Sequence, residues 1–390
     1  MKLEPIYLDY NATTPIDTRV GKIMISCSER IFGNPNSVHL YGQEASEIID
    51  EARKKVSLVI NAKKKPEIIF TSGATESNNL ALQGLVYHLS SSNKNHVITS
   101  SIEHKSILEV LSALEKRGFD VTYISPRQDG VIDVENIRSA LRKNTGLISI
   151  MHANNETGVI NPIKEIGEIA VLNNTLFHCD AAQSFGKIPV DVQEMNIHLL
   201  SISAHKIYGP KGIGALYVRK NDPEINLQPI MYGGGQEQGL RPGTLPTSLI
   251  VGFGEAATIA KNEMSGEAVR LENLRNRLLV GLQKNCEDIV VNGSLDSRLS
   301  NNLNISFLRI DSDALINNLR NELAISNGSA CTSSNWESSY VLKAIGISEE
   351  LARGAVRIGL GRFTTDEEIN LAINYISETV RKLRRMITQN

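Results

Sequence analysis

Long apolar runs, paired cysteines, an excess of charge of one sign and internal repeats are all missing from this chain of 390 residues. No apolar run approaches the roughly 18 residues that a membrane-crossing helix needs, so no membrane span is expected. Only four cysteines occur, Cys27, Cys179, Cys286 and Cys331, and no two of them stand at a zinc or redox spacing. With no signal-peptide pattern at the start, a reducing cytoplasm is the expected compartment. Forty-one basic residues face 43 acidic ones, for a net charge of −2. That balance offers no global attraction to nucleic acid or an anionic membrane, so neither is expected as a direct partner. No repeat or low-complexity tract appears. The hydrophobic content of 41% is enough for a substantial core and argues against disorder.

What is present reads as strand, turn and helix, repeated. Residues 1–15 are extended and turn-like, and a helix is expected over 43–60, with Ala45, Ile48, Ile49, Ala52 and Val56 on one face. Strands are expected at 67–71, 96–99, 121–124, 147–152, 176–180 and 198–203, with a further strand-like run at 215–218 and helical patterns between most of them. Such alternation predicts an α/β fold with a largely parallel sheet covered by helices on both faces. Ligands of such sheets gather at the carboxyl ends of the strands. Six polar residues fall just past strand ends: Thr75, His104, Asn155, Asp180, Gln183 and Lys206. After about residue 249 the texture changes. A long helix is expected over 252–284, broken near Gly266, then strands at 289–291, 303–307 and 355–358, a helix at 314–323 and a last helix at 365–386. This part reads as a smaller α+β unit. The last helix carries Arg381, Lys382, Arg384 and Arg385, which suit its C-terminal dipole better than a docking patch.

The most informative stretch is LSISAHKIYGPKGIG, 200–214. Here a buried strand runs into a tight loop at Lys206. A lysine so placed can lose its charge by desolvation and become a nucleophilic amine, suited to an imine with a carbonyl cofactor such as pyridoxal phosphate. The alternative is an exposed lysine at a strand end. The lysine within the glycine run is followed by Gly-Ile-Gly and a strand, not by Ser/Thr and a helix, which excludes a nucleotide P-loop. Asp180 ends a strand and needs a partner, which a pyridinium nitrogen would supply. It lies 26 residues before Lys206, one β-α-β step, so two neighbouring strands would carry the pair. The turn Gly73-Ala74-Thr75 leads from a strand into a helix and offers an anion site, or a plain N-cap by Thr75. His104 opens a helix, as a capping residue or as a ring-stacking proton shuttle. Cys331 lies in a small, polar Ser/Gly loop and reads as a nucleophile, whereas Cys179 suits a strand and Cys27 and Cys286 suit helices. Arg357, a cation inside an apolar strand, calls for a bidentate anion: a substrate carboxylate or an internal acid.

Several motifs together resemble those of one family. They are FTSGATESN (70–78), EHK (103–105), NNETG (154–158), the lysine stretch, RPGT (241–244) and GSAC (328–331), framed by YLDYNATTP (7–15) and LGRFT (360–364). The chain resembles the cysteine desulfurases of the NifS/IscS type, fold-type I pyridoxal-phosphate enzymes of the class V aminotransferase family, over nearly its whole length. Asn327 and Pro242 stand where the family's commonest wording has serine.

That resemblance implies a mostly parallel seven-stranded sheet in a large cofactor-binding domain over 15–255. A smaller α+β domain, from 1–14 and 256–390, would carry the catalytic cysteine. Lys206 would bear the cofactor. Asp180 would face its ring nitrogen, Gln183 its phenolic oxygen, and His104 would stack on the ring. Ala74, Thr75, Ser203 and His205 would hold the phosphate, with Thr244 reaching the neighbouring subunit of a homodimer. Asn155 and Arg357, with Asn34, would fix the substrate carboxylate. L-Cysteine would yield L-alanine and a persulfide on Cys331. The persulfide would pass to a sulfur-acceptor protein of iron–sulfur assembly, tRNA thiolation or DNA phosphorothioation. A selenocysteine lyase or another enzyme of this fold is the alternative within the class, and a non-catalytic sulfur-relay or scaffold protein the alternative outside it.

Overall fold

The computed structural model describes residues 4–220, 225–327 and 338–388. Among these, the strands in chain order are β1 Ile6–Tyr7, β2 Ile68–Thr71, β3 His96–Ser100, β4 Asp120–Ile124, β5 Thr145–Ser149, β6 Leu176–Asp180, β7 Leu199–Ser203, β8 Gly214–Val218, β9 Ile289–Val291, β10 Asn302–Phe307, β11 Leu323–Ala324 and β12 Ala355–Gly359. The helices are α1 Thr18–Arg30, α2 Leu40–Val59, α3 Ala74–Gly84, α4 Val86–Ser91, α5 Lys105–Glu115, α6 Val134–Ala140, α7 Ile163–Leu172, α8 Thr247–Asn285, α9 Ser312–Leu319, α10 Tyr340–Ala344, α11 Glu349–Arg353 and α12 Asp366–Thr388.

Seven strands form one sheet in the order β2-β8-β7-β6-β5-β3-β4. Every pairing is parallel except those of β8, which runs antiparallel to both β2 and β7. The strand residues alternate between two apolar layers, as a period of two requires. Ile68, Phe70, Ile98, Ile148, Phe177, Leu200 and Ile202 enter one core with α1, α2 and α8. Ile69, Val97, Leu147, Leu176, Leu199 and Leu216 enter the other, with α3 and α5. Both faces are therefore dry, which explains why the parallel strands read as continuous apolar runs. Each large side chain so buried contributes about 1.5–3 kcal/mol.

A third core gathers Leu271, Leu274, Leu278 and Leu282 of α8 with β10, β12 and α12. It covers a three-stranded antiparallel sheet, β12-β10-β9. The first part of α8 packs Ile250, Phe253, Ala256 and Ala260 into the large core, so one helix of 39 residues serves both cores. This corrects two sequence expectations. The helix starts at Thr247 and runs through Gly266 without a break, because that glycine is on an exposed face where nothing demands a turn. The 26-residue step from Asp180 to Lys206 does join neighbouring parallel strands, β6 and β7, but the connection is made of turns with no α-helix. Among the described residues, no helix is long and apolar enough to cross a membrane.

Candidate active site

The carboxyl ends of β2, β6 and β7, together with the chain just after β3 and β5, open on one edge of the large sheet, and the N-terminal segment 11–14 bonds to the chain just past β6 and β7. Lys206 closes a 3-10 turn, Ala204–Lys206, directly after β7. Its Nζ donates to the carbonyl oxygens of Asn11 at 2.6 Å and Ala12 at 2.7 Å. Gln183 Nε2 donates to the same Asn11 oxygen at 3.0 Å. Asn11 is fully buried, and both polar atoms of its side chain lack a hydrogen-bond partner. The loop after Lys206 is held rigid. Tyr208 takes a left-handed φ of +65°, a conformation a bulky residue keeps only when its surroundings enforce it. Its N–H donates to Thr14 Oγ1, and the Arg362 guanidinium lies 4.2 Å from its ring centre.

Asp180 ends β6 and is buried. Oδ1 accepts from the Ala182 N–H at 2.9 Å and Oδ2 from Asn78 Nδ2 at 2.8 Å. The same Asn78 amide donates to Ser106 Oγ at 2.8 Å. Ser106 Oγ lies 2.8 Å from His104 Nδ1, which also accepts the Ser106 N–H at 3.1 Å. His104 is thus the N-cap of α5, and a chain of hydrogen bonds runs from Asp180 through Asn78 and Ser106 to its ring. With Nδ1 accepting, the proton of the neutral imidazole sits on Nε2.

At the start of α3 the structure removes one of the two sequence readings. Thr75 is not the cap: Gly73 is, at φ +155°, and no side chain caps the helix. The first-turn amides of Ala74 and Thr75 therefore have no side-chain acceptor from the cap residue, a ready anion site. Ser203 Oγ is buried, has no hydrogen-bond partner, and would lie 4.0 Å from a Cβ placed on Gly73. At Gly214 an added Cβ would meet the Ile202 carbonyl at 2.5 Å and Gly73 Cα at 2.7 Å, so the backbone is drawn tight around this corner. His205 is 3.1 Å from Thr13 Oγ1. Burial, reinforced by Lys206, Lys211 and Lys187, depresses its pKa to about 4 and keeps it neutral.

Arg357 lies on β12 with its side chain 4% exposed. Nη2 pairs with Asp9 Oδ1 at 2.9 Å and Nη1 donates to the Asn155 carbonyl at 3.0 Å. The internal acid that sequence reasoning offered as an alternative is therefore present, and it is Asp9. Even so, Arg357 Nε and Asn155 Oδ1 are buried with no partner. Beneath the cluster Glu103 is fully buried. Its Oε1 accepts from Ser100 Oγ at 2.5 Å and the Met151 N–H at 3.0 Å, while Oε2 has no partner. Burial, reinforced by the Asp180 charge, pushes Glu103 up to about 8.

Two residues expected at the site stand apart from these contacts. Asn34 is on an exposed turn between α1 and α2, where its Oδ1 accepts from the Asn36 N–H. Thr244 is exposed on the loop before α8, and that loop is tied to α3 by Arg241 Nε on Glu76 Oε1 at 3.0 Å. Cys331 lies outside the described residues. Cys27 and Cys179 are buried in α1 and β6, and Cys286 is buried at the C-cap of α8, just past the helix. Sequence reasoning missed Asp9, Asn11, Asn78 and Ser106. Asp9, Asn11 and Asn78 stand inside motifs already singled out, but nothing in a motif says what a carbonyl or an amide will touch.

Pyridoxal phosphate fits this set. A buried carboxylate satisfied by neutral donors suits a ring nitrogen that carries a proton. The uncapped α3 turn beside the orphaned Ser203 hydroxyl suits a phosphate. Lys206 stands in the turn just past β7, the strand paired with the one that Asp180 ends, which suits an aldehyde held between them.

The aminotransferase class-V family pattern matches residues 6–371. The chain is 51% identical over 389 residues to the cysteine desulfurase IscS of Shewanella baltica (strain OS223), covering 99% of this chain and 95% of that protein. Among solved structures, a NifS-like protein superposes with a TM-score of 0.90 at 37% identity, covering 97% of this chain and 99% of that one. SspA in complex with cysteine superposes at 0.81 and 41% identity, covering 92% and 100%. By fold, cofactor fit and full-length identity, the chain belongs to the pyridoxal-phosphate-dependent aminotransferase class-V family and, within it, to the cysteine desulfurases of the IscS/NifS type.

Proposed function

We propose that this desulfurase takes L-cysteine to L-alanine and leaves the sulfur as a persulfide on Cys331, with the residues above in the following roles. The observation that carries the reading is Asp180: a buried carboxylate held by the neutral donors Asn78 and Ala182, on the strand beside Lys206. When bound, pyridoxal phosphate supplies a carbonyl for the substrate amine and a ring that accepts electrons from Cα. Asp180 holds negative charge where the ring nitrogen is to be protonated, and Gln183 donates to the phenolic oxygen. Ala74, Thr75, Ser203 and His205 hold the phosphate. Lys206 bears the cofactor in the resting enzyme and moves the Cα proton. Its two backbone acceptors keep the amine aimed across the site. His104 stacks on the ring and carries protons at Nε2. Arg357 and Asn155, with Asn34, receive the substrate carboxylate. Cys331 takes the substrate sulfur as the carbon chain leaves.

The protein works as a homodimer in which Thr244 serves the neighbouring subunit's phosphate. The division into 15–255 against 1–14 with 256–390 is supported by the separate core that Leu8 and the second half of α8 form with β10, β12 and α12, although Ala256 and Ala260 still pack into the large core. The persulfide passes to an acceptor protein in a cytoplasmic setting, for iron–sulfur assembly, tRNA thiolation or DNA phosphorothioation.

The test is production of sulfide and alanine from L-cysteine by the purified protein, with its absorbance recorded. Equal yields from a yellow protein are expected. Lys206→Ala is expected to lose both the yellow absorbance and turnover, and Cys331→Ser to keep the colour and release no sulfide. Turnover by Lys206→Ala without added amine, or full sulfide release by Cys331→Ser, would remove that residue from its role.

A further inference from the structure

Arg357 is not aimed by its own strand alone. On β12 it stands two residues before Gly359, whose backbone pairs with Asp9 across a parallel bridge. The Gly359 N–H donates to the Leu8 carbonyl at 2.7 Å, and the Tyr10 N–H donates back to the Gly359 carbonyl at 3.2 Å. These bonds fix the N-terminal segment alongside β12, at the height where the Asp9 carboxylate meets the guanidinium. Asp9 is itself held from two further sides. Its Oδ1 accepts Ser326 Oγ at 3.2 Å, and the Tyr7 hydroxyl donates to its backbone oxygen at 3.2 Å. Ser326 in turn forms a backbone bridge with Arg357. Three separate pieces of chain, at 7–10, 326 and 355–359, converge on one ion pair.

The pair is nearly dry on the arginine side and open on the other: the Arg357 side chain is 4% exposed and that of Asp9 20%. Of the guanidinium nitrogens, Nη2 is taken by Asp9 and Nη1 by the Asn155 carbonyl. Nε is buried and unpartnered, and Asn155 Oδ1 on the neighbouring loop is in the same condition. An unmet buried N–H is costly, so a guanidinium held this way is preset for one more acceptor.

We propose that Asp9 is a positioning residue of the substrate-binding site: together with the Asn155 carbonyl it engages one N–H on each Nη of Arg357 and holds the guanidinium so that its unpartnered Nε–H serves the α-carboxylate of the substrate. The inference rests on the reading of Arg357 as the carboxylate-binding residue. Asp9 touches neither cofactor nor substrate. It sets how tightly the carboxylate is held and leaves the steps at Cα and sulfur alone.

The test is made on the cofactor-loaded enzyme with three variants. Asp9→Asn keeps the size and one acceptor but removes the charge. It is expected to raise KM for L-cysteine about tenfold or more, the scale of a charged hydrogen bond, with kcat within about twofold. Binding of L-alanine, read from the perturbation of the cofactor absorbance, is expected to weaken by the same factor, which gives a readout independent of turnover. Asp9→Glu restores the charge one methylene away. It is expected to fall between Asp9→Asn and the natural protein, and it decides the matter if Asp9→Asn does not fold. Arg357→Lys tests the underlying reading and is expected to raise KM at least as much as Asp9→Asn. If Arg357→Lys raises KM and neither Asp9 variant does, the positioning role is overturned while the carboxylate site stands. If Arg357→Lys leaves KM and alanine binding unchanged, the carboxylate reading fails and the inference with it. A loss confined to kcat or melting temperature in the Asp9 variants would make Asp9 a structural staple and overturn the proposal.

Discussion

Glu103 is buried with no cation beside it, and one of its oxygens has no partner. Its pKa rises to about 8, first through loss of hydration and then through the charge of Asp180. In the unfolded chain a glutamate ionises near its ordinary value of about 4.3. Between that value and about 8 the native state holds a proton that the unfolded state has lost, so Glu103 makes folding less favourable as pH rises across the window. Gln cannot titrate, and its amide oxygen can still accept from Ser100 and Met151. Glu103→Gln is therefore expected to gain melting temperature relative to the natural protein as pH goes from 5 to 8. Thermal melts across that range check it, and a difference that stays constant with pH would mean Glu103 is ionised in the native state. Glu103 belongs to a motif that the sequence made prominent, yet only its neighbour His104 drew a role. A carboxylate and a carboxylic acid are spelled the same way, and burial decides between them.

The strands of the large sheet were legible because their residues alternate between two dry layers, and six expected strand positions and the run at 215–218 correspond to β2 through β8. Three elements differ from expectation: the connection from β6 to β7, the helix α8, and the helix expected over 314–323, which is α9 and ends at Leu319 before β11 takes up Leu323. In the first, Asn61 Nδ2 on Asp191, together with turns closed by Ser184 and Asp191, replaces the helix that a parallel crossover usually carries. In the second, Gly266 looked like a break because glycine costs a helix about 1 kcal/mol relative to alanine. Packing at both ends of α8 overrides that cost. An added Cβ at Gly266 would meet nothing within 4 Å. Gly266→Ala is thus expected to raise stability by about 0.5–1 kcal/mol, read as a higher denaturant midpoint at unchanged slope. A neutral or destabilising result would place a hinge where the structure shows continuous helix.

Across the whole molecule, five of the eight histidines, His96, His152, His178, His198 and His205, are depressed to about 4, in each case chiefly by burial. They lie along the large sheet and its carboxyl edge. Between about 6.5 and 4 the unfolded chain binds protons that these native imidazoles refuse, so their contribution is present above 6.5 and lost as pH falls through the window. Glu103 works in the opposite direction over part of the same range, but it is one group against five. Asp17 adds its loss further down, only below about pH 4, because its hydrogen bonds from Arg19, with that from Arg362, hold its carboxyl well below the usual range. Melting temperature is expected to drop clearly between pH 6.5 and pH 4.5, before most ordinary carboxylates protonate. A flat profile over that interval would mean that the buried imidazoles titrate normally. Asp17 also belongs to the charge cluster that joins the two cores. Arg362 reaches Asp17 at 2.8 Å and Glu267 at 2.9 Å, tying the chain's beginning and its last strand to α8.

By itself the sequence determined the α/β class, the order of the strands along the chain, and the residue types at the strand ends, since periodicity and turn chemistry act over a few neighbouring residues. Motif wording was enough to mark the family. Which side chains meet was decided only by the tertiary structure. That Asp180 reaches His104 through Asn78 and Ser106, that Lys206 is held by the carbonyls of Asn11 and Ala12, and that Arg357 already has Asp9 as its acid all depend on contacts between residues 28 to 348 apart in the chain. Backbone carbonyls carry no sequence signature, and the protonation of a buried group depends on what surrounds it, so these features came into being only with the fold.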